Sequence, residues 1–345
     1  MATAIEKSEG ERGPIAKSDE WYSIRLFDAN RDRRVVFGAS TAAAAIGISK
    51  YESALDVYCK QRQIIEPMEP NNAMLWGIRH EPTVLSAYED HLNDRLPKLE
   101  FRLMRNLPMF FHEHINFMAC TPDGIVVVEG TEHGVEAKTT TSRMLDESGE
   151  DPTKFGPDGS DRVPMNYVVQ VQHQMAVMGW DYVELPVLFK DTDDFRVYKV
   201  DRNERLISQI IEAESDLAEK IISGIEPEPD YGHNRTRMLL TEIYGAVIDE
   251  VVDLTELEEA IAYRKQIAAE KKDIEKEIQM LDNTIMDAMK TSKYGRAGEH
   301  KVTRVKVQNL MWTEKHIEEA KEKLGNVKRK GNTSLRFTFF PSEEE

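Results

Sequence analysis

Short β-rich runs alternate with helical stretches between residues 21 and 232, and this order constrains the fold more than any other feature of the sequence. The β-rich runs lie at 101–111, 125–128, 135–138, 183–189 and 195–200. Helices are expected near 40–47, 52–63, 72–92, 165–179 and 204–223. Strands and helices interleaved in this way predict an α/β fold with a mixed central sheet flanked by helices.

Composition divides the chain into three parts. Residues 1–20 are charged, contain Gly and Pro, and show no apolar periodicity, so we expect them to form a disordered tail. The segment EPEPDYG at 226–232 ends the interleaved region. We therefore predict a principal domain over 21–232 and an accessory region over 233–345, which forms a helical and β extension.

The accessory region contains a long amphipathic stretch between residues 254 and 291. Ile267, Ile274 and Leu281 recur there every seven residues among Glu and Lys. The pattern predicts a long helix, and it leaves open whether the apolar stripe packs on its own domain or on a second chain in a coiled coil. The rest of the region is expected to form short strands at 301–307 and 335–340 and a charged helix near 313–324.

Charge and cysteine content exclude several classes of protein. Lys and Arg total 45 against 62 Asp and Glu, a net charge of −17, which argues against a protein that coats nucleic acid through its global field. Cys59 and Cys120 lie far apart without a CxxC pair, so zinc sites, iron–sulfur clusters and disulfide frameworks lack support. Since the sequence shows neither a membrane-spanning apolar run nor a secretory signal, we expect a cytoplasmic protein without a membrane partner.

The strongest indication of chemistry is the tetrapeptide TPDG at 121–124, followed by VEAK at 135–138. Asp123 precedes a short apolar run, and Glu136 and Lys138 are two residues apart on a predicted strand, so both point to one face. Two carboxylates beside an ammonium group would form an oxygen-ligand site suited to Mg²⁺ or Mn²⁺. The same residues are also compatible with a surface hairpin whose turn uses Pro-Asp-Gly for backbone reasons alone.

Two predicted helices strengthen the interpretation as a metal site. The helix near 72–92 carries Glu81, a third carboxylate, within WGIRHEP at 76–82. The helix near 165–179 contains YVVQVQHQM at 167–175, in which amides are interleaved with Val, Met and Tyr. Some of these amides must therefore face the interior or a cleft, where a buried amide needs hydrogen-bond partners.

These motifs, in this order, resemble the PD-(D/E)XK nuclease superfamily, and specifically the branch of phage lambda exonuclease and the YqaJ-type viral recombinases. The shared order is G-x-x-x-E on a helix, then P-D-G, then E-x-K, then Y-x-x-Q-x-Q. The N-terminal side agrees as well, with W-x-x-x-R at 21–25, GAS at 38–40 and AIGISKY at 45–51. The resemblance runs from Trp21 to about Gly224 and implies the restriction-endonuclease-like fold of that superfamily.

The resemblance implies a role for each residue that matches a motif of the family. Asp123 and Glu136 match the metal-binding carboxylates, with the backbone carbonyl of Ala137 as a further ligand. Lys138 matches the lysine that orients or activates the attacking water. The helix residues Glu81 and Gln170 match the glutamate that completes the metal site and the glutamine near the lysine and nucleophile.

Arg25 and Ser40 match a pocket for a 5′-phosphate, although Ser40 is also compatible with a plain helix cap and Arg25 with a surface charge. The sequence departs from the lambda enzyme by inserting FDANRDRRVVF between Arg25 and Gly38. Arg33 or Arg34 could therefore share or take over the role of Arg25. The C-terminal part of the chain has no counterpart in the lambda enzyme.

The resemblance implies a Mg²⁺-dependent exonuclease that degrades one strand of duplex DNA, from the 5′ end, and leaves 3′ overhangs for recombination. It further implies a trimeric ring through which DNA passes and a single-strand annealing protein as partner. An endonuclease or nickase on the same fold is one alternative. A catalytically idle DNA-binding scaffold is another, and the intact Asp123, Glu136 and Lys138 argue against it.

Overall fold

A computed structural model of the chain describes residues 13–15, 17–28, 34–66, 71–245 and 249–304. Its contacts divide the chain into two compact units, Met1–Gly245 and Ala246–Glu345. The first unit contains the mixed sheet, and the second contains the long helix and a small hairpin. The strand predicted at 335–340, the helix near 313–324, residues 305–307 and Arg33 lie outside the described residues.

The helices are α1 (Asp19–Ser23), α2 (Ala42–Ala45), α3 (Ala54–Gln61), α4 (Asn72–Arg95), α5 (Met165–Met178), α6 (Glu204–Ser223), α7 (Thr236–Tyr244) and α8 (Glu258–Met289). The strands are β1 (Phe37–Gly38), β2 (Phe101–Met104), β3 (Phe110–Phe111), β4 (Met118–Cys120), β5 (Gly124–Val128), β6 (Thr131–Val135), β7 (Lys138–Thr140), β8 (Tyr182–Phe189), β9 (Asp194–Asp201), β10 (Tyr294–Ala297) and β11 (His300–Thr303).

The central sheet has the strand order β2-β5-β6-β8-β7, and β9 pairs with β8. Strands β6 and β7 run parallel to β8, whereas the β2–β5, β5–β6 and β8–β9 pairs are antiparallel. Strands β1, β4 and β3 form a separate small sheet in that order. The central sheet is therefore mixed, as the sequence predicts.

Strand β5 shows how the two faces of the central sheet are covered. Successive residues of a strand point to opposite faces. Ile125 accordingly packs in one core cluster with Val171 and Met175 of α5, whereas Val126 packs in another with Leu85 of α4. Helices cover both faces, and the predicted α/β class with a mixed central sheet flanked by helices is confirmed.

One predicted strand is divided in the structure, while the helices predicted near 165–179 and 204–223 are observed as α5 and α6. The run 101–111 forms β2 and β3, which belong to different sheets. Asn106 between them has a φ of 54°, in the left-handed region, and the chain changes direction there. The apolar pattern predicts a continuous run because it contains no sign of a residue in the left-handed region.

A buried polar network fixes the C-terminal half of α4 to the sheet. Arg95 donates to the two carboxylate oxygens of Glu184 at 2.8 and 3.2 Å, and Tyr88 donates to the same carboxylate. The ring of His133 contacts the Tyr88 hydroxyl at 3.2 Å. Burial raises the pKa of Glu184, but hydrogen bonds from His133, Arg95 and Tyr88 outweigh it and lower that pKa to about 2. Since α4 also carries Glu81, this network fixes the helix on which that carboxylate lies.

The residues between 232 and Gly245 belong to the first unit and pack on its core. Arg235 Nε donates to Asp56 Oδ1 at 3.0 Å, and Asp56 is completely buried. Leu239 of α7 is also buried, in the same core cluster as Leu55 of α3. Helix α7 is thus packed within the first unit.

Helix α8 forms the body of the second unit, and none of its residues is buried. Ile267, Ile274 and Leu281 are all exposed, so the apolar stripe is open to solvent along the helix. Strands β10 and β11 form an antiparallel hairpin after it. Within the described ranges, no helix combines the length and apolar character that a membrane span requires.

Two truncations test how far the first unit extends. A chain ending at Gly245 keeps Arg235 opposite Asp56, whereas a chain ending at Tyr231 leaves that carboxylate buried without its cation. In urea denaturation, the shorter chain should be less stable by about 3 kcal/mol or more, because breaking a buried ion pair leaves an uncompensated charge. Arg235→Ala in the longer chain should reproduce most of this loss. Equal stability of the two truncations would contradict the assignment.

Glu184 gives a prediction with a defined pH dependence. Because its pKa falls from 4.5 to about 2 on folding, the carboxylate stabilises the fold above pH 4.5, and this stability is lost as the pH falls through about 2. Glu184→Gln should lower the free energy of unfolding by about 2 kcal/mol at pH 7, and the difference from the unsubstituted protein should narrow by about 1 kcal/mol at pH 3.5. Urea titrations at the two pH values measure both quantities. A difference that is independent of pH would show that the charge of Glu184 does not stabilise the fold.

Candidate active site

The β5–β6 hairpin brings the two sequence motifs together. Strand β5 begins at Gly124, directly after Asp123, and Gly124 pairs with Val135 at the end of β6. Asp123, just before β5, and Glu136, just after β6, therefore both lie at the open end of the hairpin. Lys138 begins β7 immediately afterwards. Both motifs meet where β6 passes into β7.

Between β6 and β7, the backbone pairing with β8 is interrupted. The two strands keep one register along β8, so that 136–137 lies opposite 185–186. Pro186 has no N–H to donate, and the ladder stops opposite it. The N–H of Ala137 donates to Asp123 Oδ2 at 2.9 Å. The break in the predicted strand 135–138 thus joins the VEAK backbone to the carboxylate of the TPDG turn.

Glu136 is the most heavily bonded side chain of the site. Its Oε1 accepts from Lys138 Nζ at 2.7 Å and from Gln170 Nε2 at 2.6 Å, and its Oε2 accepts from Gln174 Nε2 at 2.6 Å. Lys138 Nζ also donates to Gln170 Oε1 at 3.1 Å. Only 4% of Glu136 is exposed. The carboxylate is therefore buried, ion-paired and held at both oxygens.

The site carries more negative than positive charge, and this excess appears in its acid–base properties. Burial raises the pKa of Asp123 well above its usual range, and the nearby carboxylates of Glu136 and Glu81 raise it further. Burial lowers the pKa of Lys138, but Glu136 and Asp123 outweigh it, so that the net change is upward. Lys138 therefore stays charged, and among the described residues no ion pair is found for Asp123.

Glu81 lies on α4 and has an ion-pair partner outside the two motifs. Its Oε2 forms an ion pair with Lys17 Nζ at 2.9 Å. Lys17 belongs to the segment predicted as a tail, part of which contacts the site. In the described part of the chain, no three His, Cys, Asp or Glu side chains lie close enough together to hold a metal ion.

Asp123 and Glu136 nevertheless fit a divalent cation by their chemistry. Both are oxygen donors, which Mg²⁺ and Mn²⁺ prefer. Burial and the neighbouring carboxylates disfavour the ionised form of Asp123, and a divalent cation beside it would stabilise that form. These two carboxylates could hold the ion, with Glu81 able to join them by leaving Lys17.

The residues of the predicted 5′-phosphate pocket lie on the N-terminal side of the site. Trp21 of α1 donates from Nε1 to Thr121 Oγ1 at 3.0 Å, beside the TPDG turn. The Arg25 guanidinium stacks 4.5 Å from the centre of the Trp21 ring, and a Cβ on Gly38 would lie 2.9 Å from its terminal nitrogen, so a side chain at position 38 would require the guanidinium to shift. Ser40 is exposed, and none of the hydrogen bonds found in the described ranges joins its hydroxyl to Arg25.

Arg34, the described candidate from the inserted segment, has other partners. Its guanidinium stacks 4.4 Å from the centre of the Phe111 ring, and its Nε donates to the carbonyl of Asn116 at 3.4 Å. Burial lowers the pKa of Arg25, and Glu52 opposes this shift. Of these two arginines, Arg25 is the one that the Trp21–Thr121 contact ties to the TPDG turn.

Sequence reasoning did not select two residues that contact the site, Gln174 and Lys17. Gln174 lies one helical turn after Gln170, so the two side chains share a face of α5. The amide-rich pattern of that helix is the signal from which Gln174 could have been found. Lys17 lies in a charged segment without periodicity, which offers no such signal.

Comparison with known proteins gives one family and several relatives. Residues 29–181 match the YqaJ-like viral recombinase domain. The chain is 24% identical over 278 residues to the uncharacterized protein YqaJ of Bacillus subtilis (strain 168), covering 78% of this chain and 80% of that protein.

Two solved structures are similar in part. An alkaline exonuclease (LHK-Exo) from Laribacter hongkongensis is 19% identical, with a TM-score of 0.43, and the match covers 61% of this chain and 95% of the other. A phage-related exonuclease from Haemophilus somnus 129PT is 13% identical, with a TM-score of 0.38, and the match covers 56% and 97%.

The matched residues 29–181 include the TPDG motif, the VEAK motif and the amide-rich helix up to Met178. These are among the motifs on which the resemblance in the sequence rests. The candidate site therefore lies largely within the part of the chain that is similar to the YqaJ-like viral recombinase domain.

Proposed function

We propose that this protein is a DNA exonuclease that depends on a divalent metal ion and removes nucleotides from one strand of duplex DNA. The match of residues 29–181 to the YqaJ-like viral recombinase domain supports the proposal. The observation that carries it is the carboxylate of Glu136, which Lys138 holds at 2.7 Å and Gln170 at 2.6 Å, beside Asp123. A scaffold that only binds DNA gains nothing from such a pair, since burying charge is costly even when it is paired.

The residues of the site suit phosphodiester hydrolysis. A divalent cation held by Asp123, Glu136 and the Ala137 carbonyl, with Glu81 completing the set, would neutralise charge on the reacting phosphate and lower the pKa of the attacking water. Mg²⁺ is the proposed ion, with Mn²⁺ as substitute. Glu136 is fixed by its buried hydrogen bonds before any substrate arrives.

Lys138 and Gln170 act on the attacking water in this proposal. The ammonium of Lys138 remains charged, and it lies 4.9 Å from the centre of the Tyr167 ring. Gln170 accepts from Lys138 at 3.1 Å and thereby fixes the direction of the ammonium group. Lys138 thus orients the water and favours its deprotonation by its positive charge.

We propose further that degradation starts at the 5′ end and leaves 3′ overhangs for recombination. A terminal phosphate carries close to two negative charges, whereas an internal phosphodiester carries one. Arg25 is a suitable partner because a guanidinium can bind a phosphate with two parallel hydrogen bonds. Its stacking on Trp21 and the Trp21–Thr121 hydrogen bond link it to the TPDG turn, which carries Asp123. Ser40 is proposed as the second group of this pocket.

The remaining parts of the proposal concern partners. Duplex DNA ends are the substrate, a single-strand annealing protein uses the overhang, and three chains form a ring around the DNA. These three statements rest on the resemblance of the motifs in the sequence.

Substitutions of the carboxylates and the lysine test the reaction. Asp123→Ala, Glu136→Ala and Lys138→Ala should each lower the rate of nucleotide release from a linear duplex in Mg²⁺ by about a hundredfold or more, since each removes a group that acts in the transition state. Duplex binding without metal should stay equal or tighten for the two carboxylate variants, because negative charge facing DNA is lost. Glu129→Gln, at an exposed carboxylate on the β5–β6 turn, is the matched control and should keep full activity. More than a few per cent of activity in either carboxylate variant would contradict the site.

Arg25→Ala tests the polarity and the end specificity. It should lower the rate on 5′-phosphorylated ends by about tenfold, roughly 1.4 kcal/mol of transition-state binding, and leave the rate on 5′-hydroxyl ends nearly unchanged. Arg34→Ala tests the alternative arginine: both rates should stay nearly unchanged if Arg25 binds the phosphate, whereas a selective loss on 5′-phosphorylated ends would transfer the role to Arg34. Equal and small effects of Arg25→Ala on both ends would reduce Arg25 to a surface charge. Cleavage of covalently closed DNA by the unsubstituted protein would favour the endonuclease alternative.

A further inference from the structure

Gln174 is a buried amide of α5 that no motif of the sequence assigns to the site. It is 1% exposed, and its Nε2 donates to Glu136 Oε2 at 2.6 Å. Lys138 and Gln170 bond the other oxygen, Oε1. Gln174 is therefore the side chain that fixes the second oxygen of Glu136 and, with it, the plane of the carboxylate.

The orientation of the Gln174 amide follows from the chemistry of its partner. An ionised carboxylate only accepts hydrogen bonds, so the nitrogen of the amide must face Glu136. The amide oxygen, Oε1, then points elsewhere; it is buried and has no hydrogen-bond partner among the described residues. A buried acceptor without a partner lowers the stability of the fold. Methionine would fill a similar volume without this cost, so packing alone does not explain an amide here.

Gln172, two residues earlier on the same helix, shows what a structural amide looks like in this fold. It is also 1% exposed. Its Nε2 donates to the carbonyl of Asp201 at 2.7 Å, and its Oε1 accepts from the N–H of Asn203 at 2.8 Å. Both polar ends are satisfied, and together they tie α5 to the chain between β9 and α6. Gln174 differs because its one bond goes to a proposed metal ligand.

We propose that Gln174 is a positioning residue, which holds Glu136 Oε2 and thereby sets the affinity of the site for a divalent cation. This inference rests on the proposed function, since it requires Glu136 to bind the cation. Outer partners of metal ligands typically change metal affinity or activity by about 10–100-fold when they are removed. Without Gln174, Oε2 loses its donor, and the carboxylate can rotate about its last bond.

The test compares Gln174→Met with Gln172→Met in the full chain. Isothermal titration calorimetry with Mn²⁺ should show the Kd of Gln174→Met raised by about tenfold, and that of Gln172→Met unchanged. Both variants should be less stable in urea, because each loses a buried hydrogen bond. The Mg²⁺ concentration for half-maximal nuclease activity should rise for Gln174→Met alone, and saturating Mg²⁺ should restore much of the rate.

The outcomes separate this inference from the proposed function. If Gln174→Met binds Mn²⁺ as tightly as the unsubstituted protein, the positioning role is wrong while the metal site stands. If the unsubstituted protein binds no Mn²⁺, both are wrong. Should Gln174→Met not fold, Gln174→Asn keeps an amide but withdraws the nitrogen by one methylene, and the same weakening of Mn²⁺ binding is expected. Unchanged Mn²⁺ affinity in Gln174→Asn would then overturn the inference.

Discussion

The burial of one carboxylate, that of Glu136, is the constraint on which the candidate site depends. A buried carboxylate destabilises a protein unless it is paired and its oxygens are hydrogen-bonded. Here the pairing group is Lys138, two residues along the chain, and the hydrogen bonds come from Gln170 and Gln174 on α5. Helix α5 must therefore pack near the end of β6 in a position from which Gln170 and Gln174 reach the carboxylate of Glu136. The packing of its Val171 and Met175 in the core that includes Ile125 of β5 supplies that placement.

The opposite face of the sheet contributes through α4, by a different interaction. Glu81 lies in the N-terminal half of that helix, and the buried network around Glu184 fixes the C-terminal half. Glu184 also accepts the backbone N–H of Glu136 at 3.0 Å through its carbonyl. One residue of β8 therefore contacts both the helix that carries Glu81 and the strand end that carries Glu136. Displacement of Glu184 would move two of the three carboxylates relative to each other.

The sequence contains the fold class because apolar periodicity records which faces are buried. It contains the identity of Asp123, Glu136 and Lys138 as candidates, since their types and spacing are readable without coordinates. It does not contain the break opposite Pro186, because that depends on which strand pairs with 135–138. The choice of Gln174 from an amide-rich helix likewise depends on the rotation of α5 about its axis, which only tertiary packing defines. The contact of Lys17 with Glu81 joins residues distant in the chain and has no local signal.

The two ammonium groups at the site differ in how firmly they are held. Lys138 pairs with a carboxylate that is 4% exposed, so the pair is shielded from water and from salt. The side chains of Lys17 and Glu81 are 44% and 29% exposed, and an exposed pair of this kind contributes at most about 1 kcal/mol. A divalent cation that enters beside Asp123 would therefore displace Lys17 from Glu81 at small cost and leave Lys138 in place. Under the proposed function, Glu81 exchanges Lys17 for the metal ion, while Lys138 stays in place to orient the attacking water. The net charge of −17 does not oppose DNA binding there, because the cations that act on DNA are those at the site.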